Sequence, residues 1–200
     1  MALPTARVLR RRAPEWLGAT RRALSFKLEE RTAHTSLALF QGGTGVKYGM
    51  VGLEPTRVAP DADRFREWAV VLGDTAVVGG RHYWEVTVRG SRHFRIGVAD
   101  VDMPREACIG AHHHSWVFAY AHGKWHAVLA GGSAPVLGFA HPDRVGLLLE
   151  YEAQRLSLVD PSRAAVVYAL RTQFRGPVVP AFALWDGELL THSGLDVPEV

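Results

Sequence analysis

Gly80-Arg81-His82-Tyr83-Trp84-Glu85-Val86-Thr87-Val88 is the stretch on which the reading of this chain turns. Trp84, Val86 and Val88 fall on one side of an extended segment and Glu85 and Thr87 on the other, the period-two alternation of a strand with one face in a core. Phe94, Ile96 and Val98 repeat the pattern after a polar turn at Arg89-Gly90-Ser91-Arg92. Further along, residues 115–121 and 124–129 flank His122-Gly123 as the two arms of a hairpin, and residues 181–185 and 188–192 flank Asp186-Gly187. The second pair also predicts a hairpin, because a two-residue turn with both central residues at positive φ favours Asp-Gly. Val145, Leu147 and Leu149 form another inward row, followed past Glu152-Ala153-Gln154 by Leu156 and Leu158. No helix longer than two turns is expected; residues 60–68 hold one turn at most. Short strands separated by Gly, Pro and Asp, without helical alternation, make the body all-β, a sandwich or a barrel.

The composition fits an ordinary folded protein: 200 residues, 48 % hydrophobic and 22 % charged. Cys108 is the single cysteine, which excludes an internal disulfide and a four-thiolate zinc site and suits a reducing compartment. No run of about 18 apolar residues occurs, so no membrane-spanning helix is expected.

The net charge of +3 is unevenly placed. Residues 1–24 carry six arginines against Glu15 alone, leaving 17 basic and 19 acidic side chains in the rest, a net of −2. Leu9, Ala13, Trp16 and Leu17 share a helical face opposite arginines, although Pro14 removes a donor within the pattern. A basic, amphipathic, acid-poor segment without a continuous apolar stretch is the composition of a mitochondrial transit peptide, not of a secretory signal. Arg22-Ala23-Leu24-Ser25 resembles a matrix-protease site with arginine three residues before the cut, which would leave Ser25 as the new N-terminus. A disordered basic tail, or a nuclear-import or nucleic-acid patch on Arg10-Arg11-Arg12, is the alternative. The expected organisation is a targeting presequence at 1–24, cleaved; a lead-in strand and linker at 25–45; the β-body at 46–195; and a tail at 196–200. The expected location is the mitochondrial matrix, with nucleus or cytoplasm as the alternative.

Five strings, in order, resemble the SPRY (PRY-SPRY) family. Leu53-Glu54-Pro55-Thr56 is similar to its Leu-Asp-Pro-x-Thr opening, with Glu54 for the usual Asp. Gly80 to Val86 matches the family's most recognisable string without a mismatch. Phe94-Arg95-Ile96-Gly97-Val98-Ala99 is similar to a Trp-x-x-Gly-Val-Ala strand, with Phe94 for tryptophan. Arg144 to Ala153 with Leu156-Ser157-Leu158, and then Val179-Pro180-Ala181-Phe182, are similar to the two closing segments. The resemblance spans residues 46–195. It implies a two-sheet antiparallel β-sandwich of the concanavalin-like jelly-roll kind, acting as a non-catalytic module whose end loops bind a short peptide or protein surface. No RING, B-box, coiled-coil or cullin-adaptor signature is found, so a ubiquitin-ligase role in cis is not expected.

The resemblance also selects the partner-binding candidates. Trp185 and Asp186 fall where related domains use a tryptophan after the last family strand to line the peptide groove. Arg92 and His93, and Ile109, His112 and His114, correspond to other groove-forming loops. Core placement of Trp185 is an equal reading of the residue itself.

No catalytic pattern stands out: there is no Gly-x-Ser-x-Gly elbow, P-loop or His-Glu-x-x-His. Gly42-Gly43-Thr44-Gly45 lacks phosphate-loop spacing and reads as a turn. In His112-His113-His114 only the first and third could share a metal, since neighbours on an extended chain point to opposite faces. Asp100-Val101-Asp102 reads as a strand-end turn, and Cys108 as an inert apolar residue with no base assigned to it. No catalytic residue, metal or cofactor is assigned. The expected partner is a protein or short peptide, with no nucleic acid for the folded body. An enzyme with an unrecognised site and nucleic-acid binding through the basic segment remain the alternatives.

Overall fold

In a computed structural model describing residues 23–49 and 61–200, thirteen strands form two antiparallel sheets. The first sheet has seven strands, in the order β1 (Leu37–Phe40), β2 (Gly45–Tyr48), β13 (Glu188–His192), β4 (Arg81–Thr87), β9 (Arg144–Glu150), β10 (Arg155–Asp160) and β11 (Ala165–Arg171). The second has six: β3 (Val70–Leu72), β12 (Val178–Leu184), β5 (Phe94–Asp100), β6 (Ser115–Ala121), β7 (Lys124–Leu129) and β8 (Gly132–Val136). The only helical elements among the described residues are 3-10 turns at Glu30–Thr32 and Gln41–Gly43. Residues 61–68 form turns and bends. The basic segment through Arg22 and the Leu53-Glu54-Pro55-Thr56 string lie outside the described residues.

The alternation read from the sequence sets the core. Trp84, Val86 and Val88 are fully buried, facing Phe94, Ile96, Val98, Phe118 and Phe182 of the opposite sheet. Trp84 pairs in register with Leu147, and Leu147 with Leu158, so one inward row crosses three strands. Phe26 meets Trp84 edge-on, with centroids 6.0 Å apart, and stacks on Phe182 at 6.2 Å. Each fully buried side chain of this kind stabilises by roughly 1.5–3 kcal/mol.

The lead-in belongs to the same core. Leu24, Phe26, Leu28 and Leu37 are buried in it. The Leu24 carbonyl accepts from Gly194 N at 2.6 Å, and Phe26 N donates to the Ser193 hydroxyl at 3.1 Å. Beyond the body, Leu195 and Val197 pack on Tyr83, Leu148 and Val159, on the outer face of the first sheet.

Strands β3, β12, β5 and β6 of the second sheet are buried on both faces. Phe65, Met103, Cys108 and Ile109 lie over its outer side against Val70, Ala99, Val117, Ala119 and Ala181, and the Arg105 guanidinium sits 5.1 Å from the Phe65 ring. This covering layer explains why β6 and β12 read as continuous apolar runs instead of alternating.

One expected hairpin is corrected. His122 (φ 52) and Gly123 (φ 75) do join β6 to β7 through positive φ at both positions. Asp186-Gly187 does not make a hairpin, because β12 lies in the six-stranded sheet and β13 in the seven-stranded one. Only Gly187 takes positive φ (59), and the chain crosses there from one layer to the other. Tyr48 N donates to the Gly187 carbonyl at 2.9 Å, and Glu188 N to the Gly90 carbonyl at 3.2 Å. A Cβ at position 187 would collide with the Gly90 carbonyl oxygen, so the crossing requires glycine.

Candidate functional site

The crossover builds one end of the sandwich. Phe94 of β5 pairs with Leu184 of β12, and Trp185 N extends the ladder by donating to the His93 carbonyl at 3.1 Å. Asp186 then turns its carboxylate onto the β4–β5 turn. It accepts from the Ser91 hydroxyl at 2.6 Å, from Arg92 N at 3.1 Å and from His93 N at 2.9 Å. Ser91 is buried, so the clamp is anchored at its base. Arg92 and His93 are thereby held with exposed side chains.

Trp185 is partly buried, packed against the edge of both the central core and the outer layer. Its ring meets His93 at 4.9 Å, and the Arg95 guanidinium lies 5.6 Å from its centroid, within cation–π range. Arg95 is fixed by donating to the Ile109 carbonyl at 2.8 Å. On the far side of His93, the His122 ring stands 6.1 Å away at the tip of the β6–β7 hairpin. Between the two turns opens a cavity of about 590 Å³ lined by Arg92, His93, Tyr120, His122, Gly123 and His141. Its aromatic wall is a stack of His141 on Tyr120, with centroids 4.4 Å apart and planes at 16°. His141 Nε2 is buried and has no hydrogen-bond partner among the described residues.

The seven candidates from sequence therefore separate. Trp185, Asp186, Arg92 and His93 come together, with Asp186 facing inward as the clamp. Ile109 is wholly buried in the outer layer, where its carbonyl positions Arg95. His114 pairs with Asp100 at 3.0 Å at the other end of β5, roughly 20 Å away by strand length. It borders a separate hollow of about 800 Å³ with Asp100, His113, Arg171 and Arg175, and His112 is exposed in the preceding loop. His122, Tyr120 and His141 enter the first cavity from strands and turns distant in sequence. Trp68 is a further residue at that end, 43 % exposed, one step beyond the bond from Leu184 N to the Ala69 carbonyl. The His122-Gly123 turn signal was the only sequence hint of these additions.

Two other features carry less. Cys108 is buried, which pushes its thiol pKa up and disfavours a nucleophilic thiolate. A hollow of about 930 Å³ lies beside Leu24, Arg81, Tyr83 and Leu195, and two of its three acids are engaged: Glu150 pairs with Arg155 at 2.7 Å and Glu152 accepts from Gly80 N at 2.9 Å. Among the described residues no three His, Cys, Asp or Glu side chains are grouped to hold a metal, and no helix is long and apolar enough to cross a membrane.

A family model described as the SPRY domain matches residues 81–195. The chain is 66 % identical to SPRY domain-containing protein 4 of Homo sapiens, over 100 % of this chain and 99 % of that protein. It is 69 % identical to the protein of that name in Mus musculus, over 90 % and 87 %. Human E3 ubiquitin-protein ligase TRIM58 is 32 % identical over 80 % of this chain but only 33 % of its own length. Among solved structures, the TRIM65 PSpry domain superposes with a TM-score of 0.72 at 20 % identity, covering 86 % of this chain and 93 % of that one. Stonustoxin superposes with a TM-score of 0.76 at 23 % identity, covering 84 % and 29 %. At those identities the likeness concerns the fold.

Proposed function

The chain belongs to the SPRY domain family, and we propose that it is a non-catalytic interaction module that holds a short peptide or protein surface at the Trp185 end of the sandwich. The observation that carries this reading is the half-covered indole of Trp185, flanked by His93 on the turn held by the Asp186 clamp and by Arg95 of β5, held by the Ile109 carbonyl. A tryptophan at an accessible edge combines a large apolar area with one donor, the usual chemistry of an interface anchor. Rigid loops around it reduce the ordering cost of binding. The arginine-rich first 24 residues support the mitochondrial matrix as the place where it works.

The test is capture of partners by purified chain, comparing Trp185→Ala with Val78→Ser, a 71 % exposed position near the opposite end. Loss of specific partners with Trp185→Ala alone, in a protein that stays folded, supports the site. Equal capture by both variants refutes it. For the compartment, mass spectrometry of the endogenous N-terminus from fractionated cells should find a processed start in protease-protected mitochondria. An intact Met1 in cytosol or nucleus would overturn that part.

A further inference from the structure

The side chains that wall the cavity between the β4–β5 turn and the β6–β7 hairpin bring hydrogen-bond donors and aromatic faces, and none of them is a carboxylate. Asp186, beneath the turn that carries Arg92 and His93, is occupied by the Ser91 hydroxyl and the amides of Arg92 and His93. The Arg92 guanidinium has no ion-pair or hydrogen-bond partner among the described residues, and the exposed His93 and His122 rings have ring neighbours but no such partner either. His141 adds a buried ring nitrogen without a partner on the same wall. A buried polar atom left unpaired is costly, and so is bringing an unpaired cation into an interface.

We propose that this cavity takes the acidic side chain of a partner segment, a carboxylate or a phosphorylated serine. Arg92 and the imidazoles of His93 and His122 act as its donors, and the flanking residue of the segment lies against Trp185. The inference rests on the docking role proposed above and names the chemistry it selects. An arginine fork matches a carboxylate or phosphate with two parallel bonds. A volume of about 590 Å³ is larger than one such side chain needs, so it accommodates adjoining backbone as well. A lysine in the same place would face Arg92 with no anion between them, a repulsion that discriminates against basic segments.

The probes are four mixtures of acetylated, amidated heptapeptides, randomised except for a central glutamate, phosphoserine, glutamine or lysine. Each is titrated into isotope-labelled full-length chain and followed by amide and indole resonances. The glutamate or the phosphoserine mixture should move the Arg92, His93 and Gly123 amides and the Trp185 indole, and whichever acts identifies the anion. Arg92→Gln keeps the amide that Asp186 clamps, so the fold should persist while affinity falls roughly ten- to a hundred-fold, the worth of a charge-assisted bond. His122→Gln should weaken binding in the same direction. If the glutamine or lysine mixture moves the same resonances as strongly, the acidic preference is refuted and the docking site stands. If no mixture moves the Trp185 indole, both readings fall.

Discussion

Replacing Asp186 by alanine removes the acceptor for one hydroxyl and two backbone amides at distances of 2.6–3.1 Å. Hydrogen bonds to a charged group contribute about 1.5–3 kcal/mol each where water is excluded. Here the Arg92 and His93 amides lie at the surface, so water takes over part of the role and the three together are worth about 2 kcal/mol. For a domain of this size that corresponds to a fall in melting temperature of about 4–8 °C. Asp186→Asn keeps a carbonyl oxygen where the three shortest bonds converge but loses the charge, and should fall about half as far. Thermal denaturation read by circular dichroism measures the shift, and hydrogen exchange at Arg92 and His93 localises it. Both amides should lose protection in the alanine variant while those of β9 and β10 keep theirs. A melting temperature within about 1 °C of the parent, with exchange at the two amides unchanged, would refute the clamp.

Stability should also fall as the solution is acidified through the ordinary histidine range. Burial pushes the pKa of His192 down, with Arg144 adding to the effect, and burial does the same to His34, with Arg64 adding a smaller part. The unfolded chain therefore takes up protons below about pH 6.5 that the folded chain resists, and stability is lost as pH drops below that point. His192→Gln should flatten the melting-temperature profile between about pH 7.5 and 5.5; an unchanged slope would show that His192 does not contribute. Finally, Leu24 is 7 % exposed in the core, so a chain beginning at Ser25 should be about 2 kcal/mol less stable than one beginning at Ala23. Paired thermal melts decide this, and equal midpoints would refute the packing of Leu24.

The fold was legible in sequence wherever the signal was periodic. Trp84, Val86 and Val88 announce their inward face because Glu85 and Thr87 between them stay partly exposed on the outer side, and Val145, Leu147 and Leu149 continue the same inward row on the neighbouring strand. The β6–β7 hairpin was legible from two residues. The same kind of signal misled at Asp186-Gly187, since a glycine at positive φ serves a layer crossing as well as a hairpin, and only pairing partners tell them apart. Ile109 illustrates a second limit: its loop position suggested the surface, whereas the outer layer over the second sheet buries it. For the site, the indole and its β4–β5 neighbours could be inferred from family likeness, but His141 and Trp68 reach the same end through contacts distant in sequence. His114 and Trp185 sit on opposite ends for a similar reason, because strand direction is a property of the assembled sheet.

The Asp186 clamp binds a hydroxyl at Ser91 but only main-chain N–H groups at positions 92 and 93. It therefore reads no side chain at the two positions to which the proposed docking role gives ligand contact, and any residue except proline can satisfy it there. Turn geometry and ligand chemistry are written on different atoms. Arginine and histidine could be exchanged for other residues, by selection or by design, and the turn would keep its shape while its preference changed.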